Sequence, residues 1–547
     1  MMNRRRLNAA AVAQLLESED GEFEEDANSE EDEVISEVHS EGTSNDGSSD
    51  ESETEPTTHN ADSYMLSRNK TVKWYYTPRP SRRARAANIV RQRPGPSRFI
   101  QQTCATPENC FFQFVTRDMI REIVQHTNAE GRQRDTHWND TSEEEIERFI
   151  GAVLLAGVYI SKNESVTQLW SNSDGRPIFQ KIMPRNRFSE LLTMLRFDDK
   201  ATRQVRRAND KLAPLRRIWN EFIAKCRANY VPHEQMTIDE QLVTFRGRCP
   251  FKMFIPSKPG RYGIKIWALC DSENSYCYNA EVYTGRRGGA REVNQSTRVV
   301  LELTEPLTNT GRNIVGDNFF SSLNLVQCLD ARQLTYFGTI RRNKPELPGE
   351  FQPRRDRVVG SSTFGFHEKV LIVSFVPKKN KSVNLISSLH SSPEVSHVEN
   401  KPQVILDYNA AKSGVDTMDQ NVRKYSCKRR TLRWPMCLFY NILDIAAMNT
   451  FVIFRDLHPQ WNANKPHRRR LFLILLARQL AKVLEDEIVR LPRDPVQAAA
   501  SQRTVHTRKR CHLCGWEKDR KTSKQCCICG LHVCPDHSDL LCLTCSA

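Results

Sequence analysis

The run Met236-Thr-Ile-Asp-Glu-Gln-Leu-Val-Thr-Phe245 constrains this chain more than any other stretch. Ile238, Leu242 and Phe245 are apolar, and Thr237, Val243 and Thr244 are β-branched, so the run reads as a strand. Asp239 sits in its middle. A carboxylate in a core strand is costly unless it pairs, accepts hydrogen bonds or holds a metal. Two other segments repeat the anomaly. Asn313-Ile-Val-Gly-Asp-Asn-Phe-Phe320 ends a short strand on Asp317, and Ser413-Gly-Val-Asp-Thr-Met-Asp-Gln420 carries Asp416 and Asp419. Any one of them is explained as well by a surface or capping role. Jointly they are what phosphoryl transfer by two divalent ions roughly 4 Å apart requires, because hard cations take carboxylate oxygens and leave the other positions to water and phosphate.

The surrounding pattern is mixed. Phe111–Glu130, Ser142–Ile160, Arg185–Leu195 and Leu212–Arg227 show helical periodicity, and Thr141-Ser-Glu-Glu-Glu145 resembles a helix start with acids in its first turn. Strands follow: Met236–Phe245, Lys252–Ile255, Tyr262–Cys270 and Tyr276–Tyr283, linked by turn-forming Ser257-Lys-Pro-Gly260 and Asp271-Ser-Glu-Asn274. Then come the strand Asn313–Gly316, an amphipathic helix over Ser321–Leu334 and a strand over Tyr336–Ile340. Hairpin-linked strands followed by alternating strand and helix fit an RNase H-like sheet. Residues 345–400, with Pro345, Pro348, Pro353 and a strand pair (Lys369–Phe375, Ser382–Ser387), read as an insertion before the third acid. Helices over Leu438–Phe454 and Arg469–Leu491 come after it.

Charge is segregated. The chain of 547 residues has a formal net charge of +14, yet residues 7–67 hold nineteen acids and no Lys or Arg, so the remainder carries about +33. A body that basic suits a polyanion, most simply nucleic acid. Residues 17–60 are too polar to fold alone. They read as a solvated tail or as a regulatory one, whose Ser36, Ser48, Ser49 and Ser52 stand beside acids. Residues 69–98 are basic and proline-rich and read as a linker or phosphate-touching arm. No secretory signal is evident. The longest apolar stretch, Met436–Phe454, is interrupted by Asn441, Asp444 and Asn449, so no membrane partner is expected.

Eight of the 17 Cys lie between Cys511 and Cys545. Cys511-x-x-Cys514, Cys526-x-x-Cys529, Cys534-x-x-His537 and Cys542-x-x-Cys545 make four close pairs, enough for two tetrahedral Zn²⁺. Cross-braced wiring would join Cys511, Cys514, Cys534 and His537 in one site and Cys526, Cys529, Cys542 and Cys545 in the other. Sequential pairing is the alternative, since spacing does not fix the order, and Cys527, His512 and His532 are spare ligands. So short a segment has little core, and metal would supply much of its folding energy.

The wording of several segments is more specific than their periodicity. Thr237-Ile-Asp-Glu-Gln241, Phe245-Arg-Gly-Arg-Cys-Pro-Phe251, Lys258-Pro-Gly-Arg-Tyr-Gly-Ile-Lys265, Gly316-Asp-Asn-Phe-Phe320, Asp407-Tyr-Asn409, Gly414-Val-Asp-Thr-Met-Asp-Gln420 and Arg429-Arg-Thr-Leu-Arg-Trp-Pro435 closely resemble the piggyBac family of DNA transposases, in order, from about Pro107 onward. The resemblance implies an α+β multidomain chain with an RNase H-like DDE/D catalytic core, an inserted β-rich domain, a flanking all-helical dimerisation/DNA-binding domain and a C-terminal cross-brace zinc finger. It implies catalytic Asp239, Asp317 and Asp416, with Asp419 beside them, and two Mg²⁺ per active site that Mn²⁺ can replace. It also implies DNA contacts by Arg341, Lys344, Asn318 and Trp434. On the residues alone Trp434 suits a core helix start equally well, and Arg341 and Lys344 are ordinary surface cations. Lys265 and Arg246 are further phosphate-facing candidates.

The expected layout is a disordered acidic then basic region (1–104), helical domain (105–234), catalytic core (235–344), insertion domain (345–402), core again (403–426), helical domain again (427–492), basic linker (493–510) and zinc-binding domain (511–547). Expected partners are double-stranded DNA, as terminal inverted repeats and a TTAA target, and a second copy in a homodimer. Arg508-Lys-Arg510 is a weak nuclear localisation motif. Against the active enzyme stand a domesticated DNA- or chromatin-binding protein that no longer cuts and, on the cross-brace alone, a RING-type ubiquitin ligase.

Overall fold

The strand that carries Asp239 is buried on both faces, Met236–Ile238 before the acid and Gln241–Val243 after it, as suits the middle of a large mixed sheet. The computed structural model describes residues 63–78, 89–256, 258, 260–285, 292–483, 509–514, 521–522 and 531–537. Up to Val483 the strands are β1 (Tyr64–Leu66), β2 (Lys73–Tyr75), β3 (Gly95–Pro96), β4 (Tyr230–Val231), β5 (Gln235–Thr244), β6 (Met253–Phe254), β7 (Tyr262–Asp271), β8 (Cys277–Val282), β9 (Asn313–Gly316), β10 (Thr335–Thr339), β11 (Ser362–His367), β12 (Val370–Phe375) and β13 (Val383–Ser387). β3 and β4 pair by themselves. The rest form one 11-stranded sheet in the order β1-β2-β11-β12-β13-β10-β9-β5-β7-β6, with β8 also on β7. β9 runs parallel to both β5 and β10, and its neighbours beyond are antiparallel. The connection from β9 to β10 is the helix Leu323–Ala331, as a parallel pair requires.

The helices include α1 (Pro107–Phe111), α2 (Glu143–Val158), α3 (Gln403–Ala411), α4 (Gly414–Lys424), α5 (Trp434–Leu457) and α6 (Arg468–Leu480). α6 packs on α2 and α1, and α5 on α1, so helices from the two ends of this unit share one layer. α5 is long and apolar enough to cross a membrane by length and composition, but 94% of its most apolar window is buried inside the fold. It is a core helix, and its three polar interruptions tie it down. Asn441 donates to Gln241 (3.0 Å), Asp444 accepts the Cys427 N–H (2.8 Å), and Asn449 exchanges hydrogen bonds with the Cys277 backbone, both 2.9 Å.

Three expectations need correction. Residues 64–75, placed in the disordered region and linker, form the β1–β2 hairpin, whose Trp74 is fully buried and whose Tyr75 pairs with Phe366 of β11. Residues 345–402 do not fold apart. β11, β12 and β13 extend the main sheet beyond β10, and Val373 and Leu385 share a core with Val315, Phe337 and α3 residues Val404, Ile405 and Tyr408. The helix expected over Phe111–Glu130 is two, because the Thr116 side chain caps a new helix, Arg117–Arg134, by accepting the Met119 N–H.

The described chain divides into two compact units, one up to Val483 and one from Leu484.

Candidate active site

Strand register assembles the acids. β5 and β9 are parallel with Ile238 opposite Gly316, so one further residue along each strand sets Asp317 level with Asp239. Asp317 then starts a turn in which its Oδ1 accepts the Phe319 N–H at 2.9 Å. Gly316 has no Cβ because the Tyr336 hydroxyl lies 2.6 Å from where one would stand, and that hydroxyl is bonded to Ser321 Oγ at 2.7 Å. The third element comes from sequence far away. The Thr237 hydroxyl donates to the Ala411 carbonyl (2.6 Å), pinning the end of α3 to β5, and α4 begins three residues later. Asp416 lies in the first turn of α4, where the helix dipole favours a negative charge. Asp419 is three residues on, on the same face.

Asp239 accepts the Glu240 N–H at 2.7 Å. Burial first, then Glu240, Asp317 and Asp416, hold its carboxyl well above the usual carboxylate range. Those last causes record that the acids are close enough to repel. Burial also raises the Asp419 carboxyl, against a 3.0 Å bond from Gln241 and the charges of Arg423 and Lys258. Arg423 pairs with Asp419 at 2.6 Å. Since Gln241 in turn accepts from Asn441, a hydrogen-bonded line runs from the core of α5 to Asp419. Lys258 completes the surroundings. Burial lowers its ammonium and the charges of Glu240, Asp239, Asp416 and Asp419 raise it, with a net upward shift.

Sequence reasoning did not single out Gln241, Glu240 or Lys258, although all three lie inside the quoted motifs. Lys265 is occupied: its Nζ lies 3.6 Å from Glu240 and 3.7 Å above the Trp267 ring. Arg246 is exposed. Arg341 is exposed beside Asp317, its Nε donating to Asn318 Oδ1 at 3.0 Å, and Lys344 is half-buried in the same turn. Trp434 is a core residue in this structure. It is 7% exposed, and its ring meets Phe251 edge-on at 5.0 Å, so it presents no free face to a base.

In the second unit, one ligand atom each from Cys511, Cys514 and Cys534 lies within 4.8 Å of the other two. Cys514 and Cys534 Sγ are 3.6 Å apart, and the Cys534 N–H donates to Cys511 Sγ at 3.2 Å. Backbone N–H to sulfur bonds stabilise a thiolate, the form that binds metal. His532, a spare candidate, bonds the Thr522 carbonyl through Nδ1 at 3.0 Å. His537 follows in a short turn (Pro535–His537), but its side chain lies outside the described residues. So do Cys526, Cys527, Cys529, Cys542 and Cys545. Among the described residues this is the one set of three ligand atoms so close together, and the aspartates stand farther apart.

A family profile described as Transposase IS4 matches residues 106–451. Human PiggyBac transposable element-derived protein 3 is 25% identical over 384 residues, covering 64% of this chain and 61% of its own. Human PiggyBac transposable element-derived protein 2 is 23% identical over 375 residues, covering 64% of this chain and 62% of its own. The chain thus spans less than two thirds of the length of these curated relatives. The cryo-EM structure of a piggyBac transposase synaptic complex with hairpin DNA aligns with a TM-score of 0.68 and 34% identity, covering 83% of this chain and all of that one. With the profile covering well over half of the sequence, and motifs and fold agreeing, the chain belongs to the piggyBac family of transposases.

Proposed function

We propose that this chain is a cut-and-paste DNA transposase with an RNase H-like DDE/D core. The observation that supports it best is the convergence of Asp239, Asp317 and Asp416 from three separate segments at the neighbouring inner strands β5 and β9 and the start of α4, where burial and then the nearby acids raise the Asp239 carboxyl. Such a group of acids, uncomfortable without a counter-charge, fits divalent cations. Asp239, Asp317 and Asp416 would hold two Mg²⁺, or Mn²⁺ in its place, supplying a Lewis acid at the scissile phosphate. Asp419, fixed by Gln241 and Arg423, orients α4 behind those ligands. Arg341, Lys344 and Asn318 flank Asp317 and meet the phosphate backbone. Each step breaks one P–O bond and forms another: water nicks the element end and frees a 3′-OH, that 3′-OH attacks the opposite strand to close a hairpin and releases the flanking 3′-OH, water reopens the hairpin, and the regenerated 3′-OH joins TTAA as a target 3′-OH leaves.

The cysteine-rich unit binds two Zn²⁺ and reads the terminal inverted repeats. The chain acts as a homodimer holding two ends, in the nucleus. A second reading has one observation in its favour: the human relatives are named as element-derived proteins. On it the chain binds DNA or chromatin and does not cut.

Incubating the protein with Mg²⁺ and DNA bearing verified element ends beside TTAA separates the two. Nicked and hairpin products are expected, and their absence leaves the domesticated reading. Asp239→Ala and Asp317→Ala should each lower nicking by roughly three orders of magnitude with the fold retained, the scale of losing several kcal/mol of transition-state stabilisation. An Asp239→Ala protein that cuts normally overturns the site.

A further inference from the structure

The turn that presents Arg341 and Lys344 does not stand alone. Arg68, at the tip of the β1–β2 hairpin, reaches across 270-odd residues of sequence and donates from Nη2 to two carbonyls of that turn, Arg342 O at 3.0 Å and Lys344 O at 2.6 Å. The hairpin backbone adds Arg68 N to Leu347 O (3.1 Å) and Asn69 N to Pro345 O (3.2 Å). Ser67 bridges Pro348, and the fully buried Trp74 donates its indole N–H to Glu346 O at 2.8 Å. Every carbonyl from Lys344 to Leu347 is therefore occupied by the hairpin. At the other end of the turn Arg341 is bonded to Asn318, the neighbour of Asp317. The hairpin itself is anchored, since β2 pairs with β11 and Trp74 packs edge-on against His367 at 5.6 Å.

We propose that the β1–β2 hairpin is a positioning strap. Through Arg68 and Trp74 it fixes the 341–348 turn, and so sets where Arg341 and Lys344 meet the phosphates of the DNA duplex that is attacked, without touching the acids. A charged donor shared between two carbonyls is stronger than a neutral hydrogen bond, and a geometry held at several points gives up little freedom when DNA binds. The phosphate-binding role rests on the transposase reading above. The strap itself is a property of the fold and is testable without activity.

Arg68→Ala, Arg68→Lys and Trp74→Phe are made in the full chain and followed by hydrogen exchange. Arg68→Ala should exchange about tenfold faster over residues 341–348, with β5 and β9 unchanged, as expected for losing a hydrogen bond or two to a charged donor. Arg68→Lys, which keeps a single point donor, should recover part of the protection. Unchanged exchange in both Arg68→Ala and Trp74→Phe overturns the strap. Binding of a TTAA duplex, read by fluorescence anisotropy, tests the role. Arg68→Ala and Arg341→Ala should each weaken it, and the double variant should be no weaker than Arg341→Ala, because Arg68 acts through that turn. Additive losses would instead mean that Arg68 contacts DNA itself. Faster exchange with undiminished binding would leave the strap without a function in DNA capture. Since neither readout needs cleavage, a protein that never nicks can still pass or fail both.

Discussion

Aspartates in this chain share a chemistry and differ by surroundings. Asp239 is raised by burial and by neighbouring acids in the middle of β5, where a cation can answer it. Asp444 is raised in the middle of α5: burial pushes its carboxyl up to about 7, against stabilising bonds from the Cys427 N–H and the Ser426 hydroxyl and the weaker pull of the Lys428 charge. The consequence has a definite sign. The unfolded carboxyl titrates near 4, so between about pH 4 and 7 the folded chain holds a proton that the unfolded chain has lost. The contribution of this group to stability therefore falls as pH rises through that window and is level above it. Asp444→Asn keeps an acceptor for Cys427 and removes the titration. Denaturation midpoints of the variant should gain on the parent as pH goes from 5 to 8, by an amount on the order of a few kcal/mol at most. A difference that does not change with pH would show that Asp444 is ionised at little cost.

Elements meet here through small residues and buried polar bolts, and α4 is the clearest case. A Cβ on Gly414 would stand 2.8 Å from the Thr237 hydroxyl and 3.1 Å from its Cβ. Gly414→Ala must push the start of α4 off β5, at a stability cost of about 1–3 kcal/mol. Asp416 and Asp419 move with it, and displacements near 1 Å in a catalytic group can cost about a hundredfold. Nicking should therefore fall further than denaturation midpoints account for; a variant that loses stability alone argues against α4 as the bearer of the third acid. The strand of Asp239 and the strand end of Asp317 were readable in the sequence because apolar periodicity is local and an acid breaks it visibly. The hairpin was not, since β1 and β2 are three residues each among lysines and arginines and owe their existence to the burial of Trp74 and to β11. Nor was the joining of residues 345–402 to the main sheet, because a ladder partner is chosen by tertiary packing. Asn441, Asp444 and Asn449 read as interruptions of an apolar run, and only the fold shows that each meets a partner outside α5.

At the scale of the whole molecule, two features set by composition decide how DNA is reached. The cysteine-rich segment is short, and among the described residues its buried cluster is Cys511, Val533 and Cys534, with Leu513 and Cys514 against it. Metal is thus expected to hold it, and a strong chelator should remove zinc and unfold this unit while the unit ending at Val483 keeps its melting transition; bound zinc counted by mass spectrometry, with Cys511→Ser as control, checks this. The acidic N-terminal run is the other feature. About nineteen negative charges are tethered, through Ser63 and the β1–β2 hairpin, to a body of about +30. A tether makes the tail an internal competitor at high effective concentration for any surface that binds phosphate. Removing residues 1–60 leaves the hairpin whole and should tighten DNA binding several-fold at low salt. The advantage should shrink toward nothing as added salt shortens the screening length, because the competition is electrostatic. Phosphate on Ser36, Ser48, Ser49 and Ser52, each adding between one and two negative charges, should shift the intact chain the opposite way. Equal affinity with and without the tail at every salt concentration would mean that the acids are only solvated, and that the basic body meets DNA unopposed.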